Sequence, residues 1–325
     1  MFQIKNKFAI GCLVQWYEIE IVGEYIDSLI QALNEVENKQ DIIVDFMLVT
    51  NQDLEKVNDE TTLKEIEKRY DDMLYELIGK CSLRTAVRSD LYTIADYRRD
   101  FNDRYCTEVD MLMWGETDAL LPKQTFQILD NLHNSVKNDT PKYLSFFGTC
   151  KMWDESWKVV EHNDFTDKPF TENDYDNWWS LKYTMNLEEM NKFNDKVEEL
   201  DVRVVSPHKF NGCGLVISSE VVKSGVNIPK SVFFVHEDTS FMMMTNKVLG
   251  NIPQYIIKNV LLVHNRNHPK KRMYVSGERH DGTMNEKRRS NDWYVKANKM
   301  SEQNCYNITN PNYKSYTWGD VFDES

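Results

Sequence analysis

Short apolar runs alternate with stretches of helical periodicity through the first third of the chain. Phe8 to Val14 is a compact apolar run that reads as a buried strand. Past a turn at Gln15-Trp16-Tyr17-Glu18, residues Tyr25, Ile26, Leu29, Ile30, Leu33 and Val36 recur at helical spacing. Ile42 to Val49 reads as a second buried strand, closed by Thr50-Asn51-Gln52-Asp53. Leu63, Ile66, Tyr70, Met73, Leu74 and Leu77 mark an amphipathic helix with Gly79 as its stop. Another helix is expected from Arg84 to Phe101. A third apolar run then ends at Trp114, and a helical pattern resumes after Pro122. This β-α-β-α-α-β order implies a largely parallel sheet flanked by helices. It also sets the loops near Tyr17 and Asn51 beside the one that follows Trp114.

The remainder changes character. Residues 151–200 are acidic and carry Trp153, Trp157, Trp178 and Trp179, half of the eight tryptophans. A helix is expected near Leu187 to Leu200. Strand-like runs return at Val202–Val205, Leu215–Ile217, Val232–Val235 and Ile256–Val263. From Arg266 to Arg289 the chain is basic, and from Ser301 it is polar and aromatic with few periodic signals. The division expected is a main domain over 1–268, with 151–200 as an insert, and an extension over 269–325 packed on the same domain.

Charge and cysteine content narrow the classes. A net charge of −13 disfavours generic affinity for nucleic acid or anionic membrane. Six cysteines without a C-x-x-C pair read as buried thiols, not as a disulfide framework or a zinc site. No apolar stretch approaches membrane-spanning length, and the N-terminus shows no cleavage signature. A soluble cytoplasmic protein is expected.

The candidate chemistry gathers at strand ends. Glu116 and Asp118, spaced i, i+2 after a buried strand, lie where α/β folds bind ligands, and two hard oxygens suit a divalent cation. The same pair could instead cap the helix that follows. Glu237-Asp238 ends another apolar run, where a carboxylate can act as a general base or as a helix cap. His264 follows the run ending at Val263 and is a candidate third metal ligand, imidazole complementing carboxylates around manganese-like ions. Gly212-Cys213-Gly214 permits close backbone approach but lacks the spacing of a dinucleotide or P-loop motif. Arg84, Arg88 and Asp90, on one helical face or its start, could contact a diphosphate or form ion pairs. The tryptophans at 153, 178 and 179 could stack on sugar rings or bases, or be core.

In order and spacing, these pieces resemble the GT-A fold of nucleotide-sugar-dependent glycosyltransferases, most nearly the family 2-like group. The matching segments are Gln15-Trp16-Tyr17-Glu18, Thr50-Asn51, Glu116-Thr117-Asp118, Gly212-Cys213-Gly214, Glu237-Asp238 and His264, spanning roughly residues 8–268. The resemblance implies an α/β fold of GT-A type, a mostly parallel sheet flanked by helices with a small antiparallel acceptor-side part. It implies that Tyr17 and Asn51 line a nucleoside pocket, with Arg84, Arg88 and Asp90 also on the donor side. Glu116 and Asp118 would form the DXD motif, holding Mn2+ or Mg2+ together with His264. Asp238 would deprotonate the acceptor hydroxyl in an inverting transfer. Trp153, Trp178, Trp179, Gly212 and Glu237 would lie toward the acceptor, a glycan or a hydroxylated DNA base. The chain departs from the pattern at Glu116, which replaces the first Asp, and at Asn51, where an acid is usual. The Gln-x-x-Arg-Trp signature of processive synthases is absent, which favours a single transfer. Arg88-Ser89-Asp90-Leu91 is similar to a group that retains stereochemistry. Two alternatives stand beside this reading: a nucleotidyltransferase, which would more often carry a Gly-rich basic loop after the first strand, and a non-catalytic sugar- or nucleotide-binding domain.

Overall fold

The computed structural model of the protein describes residues 1–51, 60–148, 186–205, 212–265 and 292–323. Its first half runs β1 (Phe8–Gln15), α1 (Val22–Asn34), β2 (Ile42–Val49), α2 (Glu60–Tyr75), β3 (Ser82–Arg88), α3 (Ile94–Tyr105) and β4 (Met111–Trp114). There follow β5 (Ala119–Leu120), α4 (Thr125–Val136), β6 (Leu144–Gly148), α5 (Leu187–Asn194), β7 (Val202–Val205), β8 (Val216–Ser218) and α6 (Ser219–Lys223). The described chain ends with α7 (Glu237–Leu249), β9 (Gln254–Leu261), β10 (Val263–His264), α8 (Asp292–Tyr306) and α9 (Trp318–Phe322).

One eight-stranded sheet, in the order β3-β2-β1-β4-β8-β6-β9-β7, organises these elements. The first four strands pair in parallel, and β6 pairs in parallel with β9. Strand β8 runs antiparallel between β4 and β6, and β7 is antiparallel on the far edge. A separate antiparallel ribbon joins β5 to β10. The α/β architecture and its parallel half are those the sequence implies.

Strand β1 is buried on both faces, as a central parallel strand must be. Its alternate residues feed two cores. Phe8, Ile10, Cys12 and Val14 pack with Tyr25, Ile26, Leu29 and Leu33 of α1. Ala9 and Leu13 pack on the other side with Tyr97, Phe101 and Tyr105 of α3. Gly11 lies between them, and a Cβ there would stand 2.6 Å from Phe101 and from the Tyr97 hydroxyl. Gly11→Ala is therefore expected to destabilise the protein by about 1–3 kcal/mol through overpacking, read as a lower urea midpoint. A midpoint equal to wild type would show that α3 yields freely.

Several sequence expectations are corrected. The helix expected from Arg84 to Phe101 is a strand followed by a helix that starts only at Ile94. Strand β3 is an edge strand, half exposed, so its polar residues do not show the apolar signature of its neighbours. Thr93 caps α3, its side chain accepting from the Asp96 amide while Asp96 accepts from the Thr93 amide. Arg84, Arg88 and Asp90 thus share no helical face. Val232–Val235 is a loop, and its apolar character serves an aromatic cluster: Phe233 and Phe234 pack on Trp318, with ring centroids 5.1 and 5.4 Å away. The helix expected to reach Leu200 ends at Asn194, whose side chain donates to the Leu261 carbonyl and accepts from its amide. Asp292–Tyr306 is a helix that runs into the stretch from Ser301, where the sequence shows few periodic signals. Strand β6, Leu144-Ser145-Phe146-Phe147-Gly148, is not among the strands expected from the sequence.

Helix α8 braces the loop before α7. Ser301 Oγ donates to the Val235 carbonyl at 2.6 Å, and Asn304 Nδ2 donates to the Ser231 carbonyl at 2.7 Å. His236 ends that loop in the left-handed region at φ 68°, and its ring Nε2 lies 2.9 Å from Asn298 Oδ1 on α8. No helix among the described residues is long and apolar enough to cross a membrane.

Candidate active site

From β1 the chain moves outward to β2 and β3, then returns to place β4 on the other side of β1. The strand order reverses at that point, and a crevice opens at the carboxyl ends of β1 and β4, where open α/β sheets take their ligands. A cavity of about 300 Å³ occupies it. Gln15 and Tyr17 line it from the end of β1, Asn51 from β2, and Tyr92 and Thr93 from beyond β3. Glu116 and Thr117 close it from β4, with Phe234, Glu237, Trp293 and Tyr294 on the facing wall. Its size and its mixture of aromatic and polar lining match a small-molecule site.

Below this cavity the acids are tightly organised. Arg98 on α3, buried at 3% side-chain exposure, donates from Nη2 to Glu116 at 2.6 Å and from Nη1 to Glu237 at 2.5 Å. Its guanidinium lies 4.6 Å over the Trp114 ring. The other oxygen of Glu116 lies 2.9 Å from His264 Nε2, and Asp118 Oδ1 lies 3.5 Å from the same nitrogen. The β5–β10 ribbon makes this meeting possible. It pairs Ala119 with His264, and the Asn265 amide donates to the Asp118 carbonyl at 2.7 Å. Cys213 reaches the same point because its loop clasps the end of β4. Trp114 donates to the Leu215 carbonyl and Gly214 to the Trp114 carbonyl. Ligand atoms of Glu116, Cys213 and His264 all lie within 4.8 Å of one another.

The electrostatics follow from this geometry. Burial works to raise the Glu116 carboxyl, but His264 and Arg98 outweigh it and hold the group down at about 2. Burial also works against the charged form of His264, yet Cys213, Glu116 and Asp118 together lift it well above the ordinary imidazole range. Glu237 has only a share of Arg98. Burial pushes its carboxyl up to about 7 against the pull of Arg98, and neighbouring Asp238 adds to the rise. The short contact and the raised value point in opposite directions. One guanidinium shared between buried Glu237 and half-buried Glu116 accounts for both, and the upward direction is the one that burial of Glu237 dictates. The Cys213 thiol is pushed up to about 12, chiefly by burial.

The structure brings Tyr17, Asn51, Glu116 and Glu237 to one cavity and sets Asp118 and His264 directly behind Glu116. Asp238 occupies the first turn of α7. Its Oδ1 accepts from the Thr239 amide at 2.6 Å, and Gly212 lies against it, where a Cβ would come within 3.2 Å of the Asp238 Cβ. Arg84, Arg88 and Asp90 do not line the cavity. Arg88 and Asp90 form a solvent-exposed bidentate pair at 2.6 and 2.8 Å, while the residues just after them, Leu91 to Ile94, face inward. Trp153, Trp178, Trp179 and the basic segment 266–289 lie outside the described residues. Sequence reasoning missed Arg98, since an arginine in an amphipathic helix reads as a solvent-facing residue. It also missed Cys213 as a neighbour of His264.

No family model matches the chain, and no curated protein matches it by sequence. Among solved structures it is similar to residues 1–349 of TarS from S. aureus, at 12% identity and TM-score 0.44, over 79% of this chain and 59% of that one. It is likewise similar to a longer TarS structure, at 10% identity and TM-score 0.46, over 83% of this chain and 38% of that one. Glucosyl-3-phosphoglycerate synthase from Mycobacterium tuberculosis, solved with Mg2+ and uridine diphosphate, is similar at 11% identity and TM-score 0.42, covering 83% and 75%. This chain thus spans less than two thirds of either TarS structure. These are likenesses of fold. The strand order and the strand-end site themselves define an α/β protein with a ligand crevice at its switch point.

Proposed function

We propose that the protein is a cation-dependent glycosyltransferase of GT-A type that moves one sugar from a nucleotide-sugar donor to an acceptor hydroxyl, with inversion. The observation that carries this reading is the convergence of Glu116, Asp118 and His264 beneath a cavity lined by Tyr17 and Asn51. Carboxylate oxygens and an imidazole nitrogen facing one point fit a divalent cation such as Mn2+ or Mg2+. When bound, the cation supplies neutralisation of the charge on the departing nucleoside diphosphate.

In this reading the nucleoside lies between Tyr17 and Asn51, with Tyr92 and Trp293 excluding water. Arg98 holds Glu116 in place and ties it to the first turn of α7. Asp238 on that turn takes the proton of the acceptor hydroxyl as the oxygen attacks the anomeric carbon. The acceptor is a glycan or glycoconjugate. A hydroxylated DNA base is a second reading, favoured by Trp293 and Tyr294 on the cavity wall, where a flat ring could stack. A nucleotidyltransferase is disfavoured because the turn after β1 carries Trp16, Tyr17 and Glu18 instead of a basic glycine-rich cradle.

Binding of common sugar nucleotides with Mn2+, followed by thermal shift and hydrolysis, tests the proposal. No binding to any of them would end it. Asp118→Ala is expected to abolish the cation-dependent part of donor binding in a titration with and without chelator. An unchanged cation requirement would remove Asp118 from the site. Duplex DNA retained at low salt and released as salt rises would favour the DNA acceptor, and no retention would eliminate it.

A further inference from the structure

The proposed cation site contains a donor that oxygen-loving cations do not use. Cys213 is buried, and its sulfur lies within 4.8 Å of ligand atoms of both Glu116 and His264. Three side chains from distant segments are gathered here: one at the end of β4, one on the loop that clasps β4, and one on β10. Asp118 Oδ1 lies 3.5 Å from His264 Nε2, at the edge of this group.

We infer that Glu116, Cys213 and His264 form a mixed sulfur, nitrogen and oxygen site selective for borderline-soft divalent cations of the zinc class over Mg2+. The inference rests on the cation site proposed above and adds Cys213 Sγ as a ligand. Magnesium demands an octahedron of oxygens, whereas zinc accepts thiolate, imidazole and carboxylate in a tetrahedron. Tetrahedral ligands at zinc distances stand about 3.5 Å apart, so the three side chains close on the ion with shifts of about 1 Å. On binding, the Cys213 S–H bond breaks. Its proton passes to the buffer, and sulfur keeps the electron pair that it gives the cation. Arg98 holds one oxygen of Glu116 and leaves the other facing the ion. The fourth tetrahedral position is left to water or an outside donor. Zinc is then expected to bind tightly without nucleotide.

The test uses the full chain stripped with chelator and titrated with Co2+. A thiolate-to-cobalt charge-transfer band in the near ultraviolet is expected, displaced stoichiometrically by Zn2+ and untouched by excess Mg2+. Cys213→Ser should lose the band and weaken Zn2+ binding by at least about a hundredfold, more than loss of an outer hydrogen-bond partner gives. Cys81→Ser, just before β3 at the opposite end of the parallel strands, should keep both. Absence of the band in the wild type, its survival in Cys213→Ser, or displacement by Mg2+ would overturn the inference. Should Cys213→Ser fail to fold in chelator, X-ray absorption of the unmodified zinc-loaded protein decides. A sulfur neighbour at about 2.3 Å supports the site, and a shell of nitrogen and oxygen alone overturns it. Zinc binding through Cys213, with no sugar nucleotide bound by the zinc-free protein in Mn2+, would keep this inference and remove the glycosyltransferase reading. Sugar transfer with Mg2+ and no cobalt–thiolate band would do the reverse.

Discussion

Asp238→Asn is expected to lower the transfer rate by about 10²–10⁴-fold, the usual contribution of a positioned general base, with donor affinity unchanged. The substitution suits the geometry. Asn keeps the side-chain oxygen that accepts from the Thr239 amide, so that hydrogen bond in the first turn of α7 is retained. It also keeps the shape that packs against Gly212, where little room remains. What it removes is the capacity to take a proton. Initial rates with saturating donor and acceptor, set beside equilibrium binding of the donor, separate the two effects. A loss shared equally by rate and donor affinity would make Asp238 a donor contact. Full activity would leave the proton to another group.

Arg98→Ala is expected to destabilise the protein by about 3–5 kcal/mol, the cost of leaving buried charge without its partner. The guanidinium serves Glu116 and Glu237 at once, and both carboxylates would lose their nearest compensating charge. Arg98→Lys should recover only part of the loss, because a single ammonium cannot span both carboxylates as the planar fork does. Chemical denaturation measures the effect. Adding Glu237→Gln to Arg98→Ala should lessen the loss, since one of the stranded charges is gone. If the pair adds independently, Arg98 and Glu237 are not coupled. The wild type should also show two opposed acid responses. Glu116, held at about 2, contributes stability that is present above its unfolded value and lost as pH falls toward 2. Glu237, raised to about 7, contributes stability that is present below its unfolded value and lost as pH rises through 7.

Legibility in the sequence followed burial. Strands β1, β2 and β4 are covered on both faces, so their apolar runs announce them, and the acids that end β4 were visible for that reason. Strand β3 lies at the sheet edge with Arg84 and Thr85 exposed, and its composition says little about its state. The run at Val232–Val235 misled in the other direction. Its apolar side chains satisfy aromatic partners on α8 and α9, contacts that a local pattern cannot encode. Asp45 shows the same limit. It sits buried in β2 because Tyr97 and Tyr105 of α3 donate to it at 2.8 and 2.5 Å. The Glu116–His264 contact joins two residues that their strand-end positions and the family resemblance both single out. The roles of Arg98 and Cys213 as its neighbours depend on side-chain contacts between segments far apart in the chain.

The two-rung ribbon that carries His264 has a consequence for dynamics. Only Val263 and His264 pair with β5, and β10 is separate from the ladder of the main sheet. Leu120 and Val263 pack in a small cluster of their own with Met190, Phe193 and Leu261, so the ribbon is expected to open at a free energy well below that of global unfolding. A bound cation would latch it shut, joining the loop after β4 to β10 through Glu116 and His264. Hydrogen exchange at the Asn265 amide, which is bonded to the Asp118 carbonyl, should therefore be faster than at amides of β1 and should slow on cation binding. That one amide would act as a gauge of how often the site comes apart.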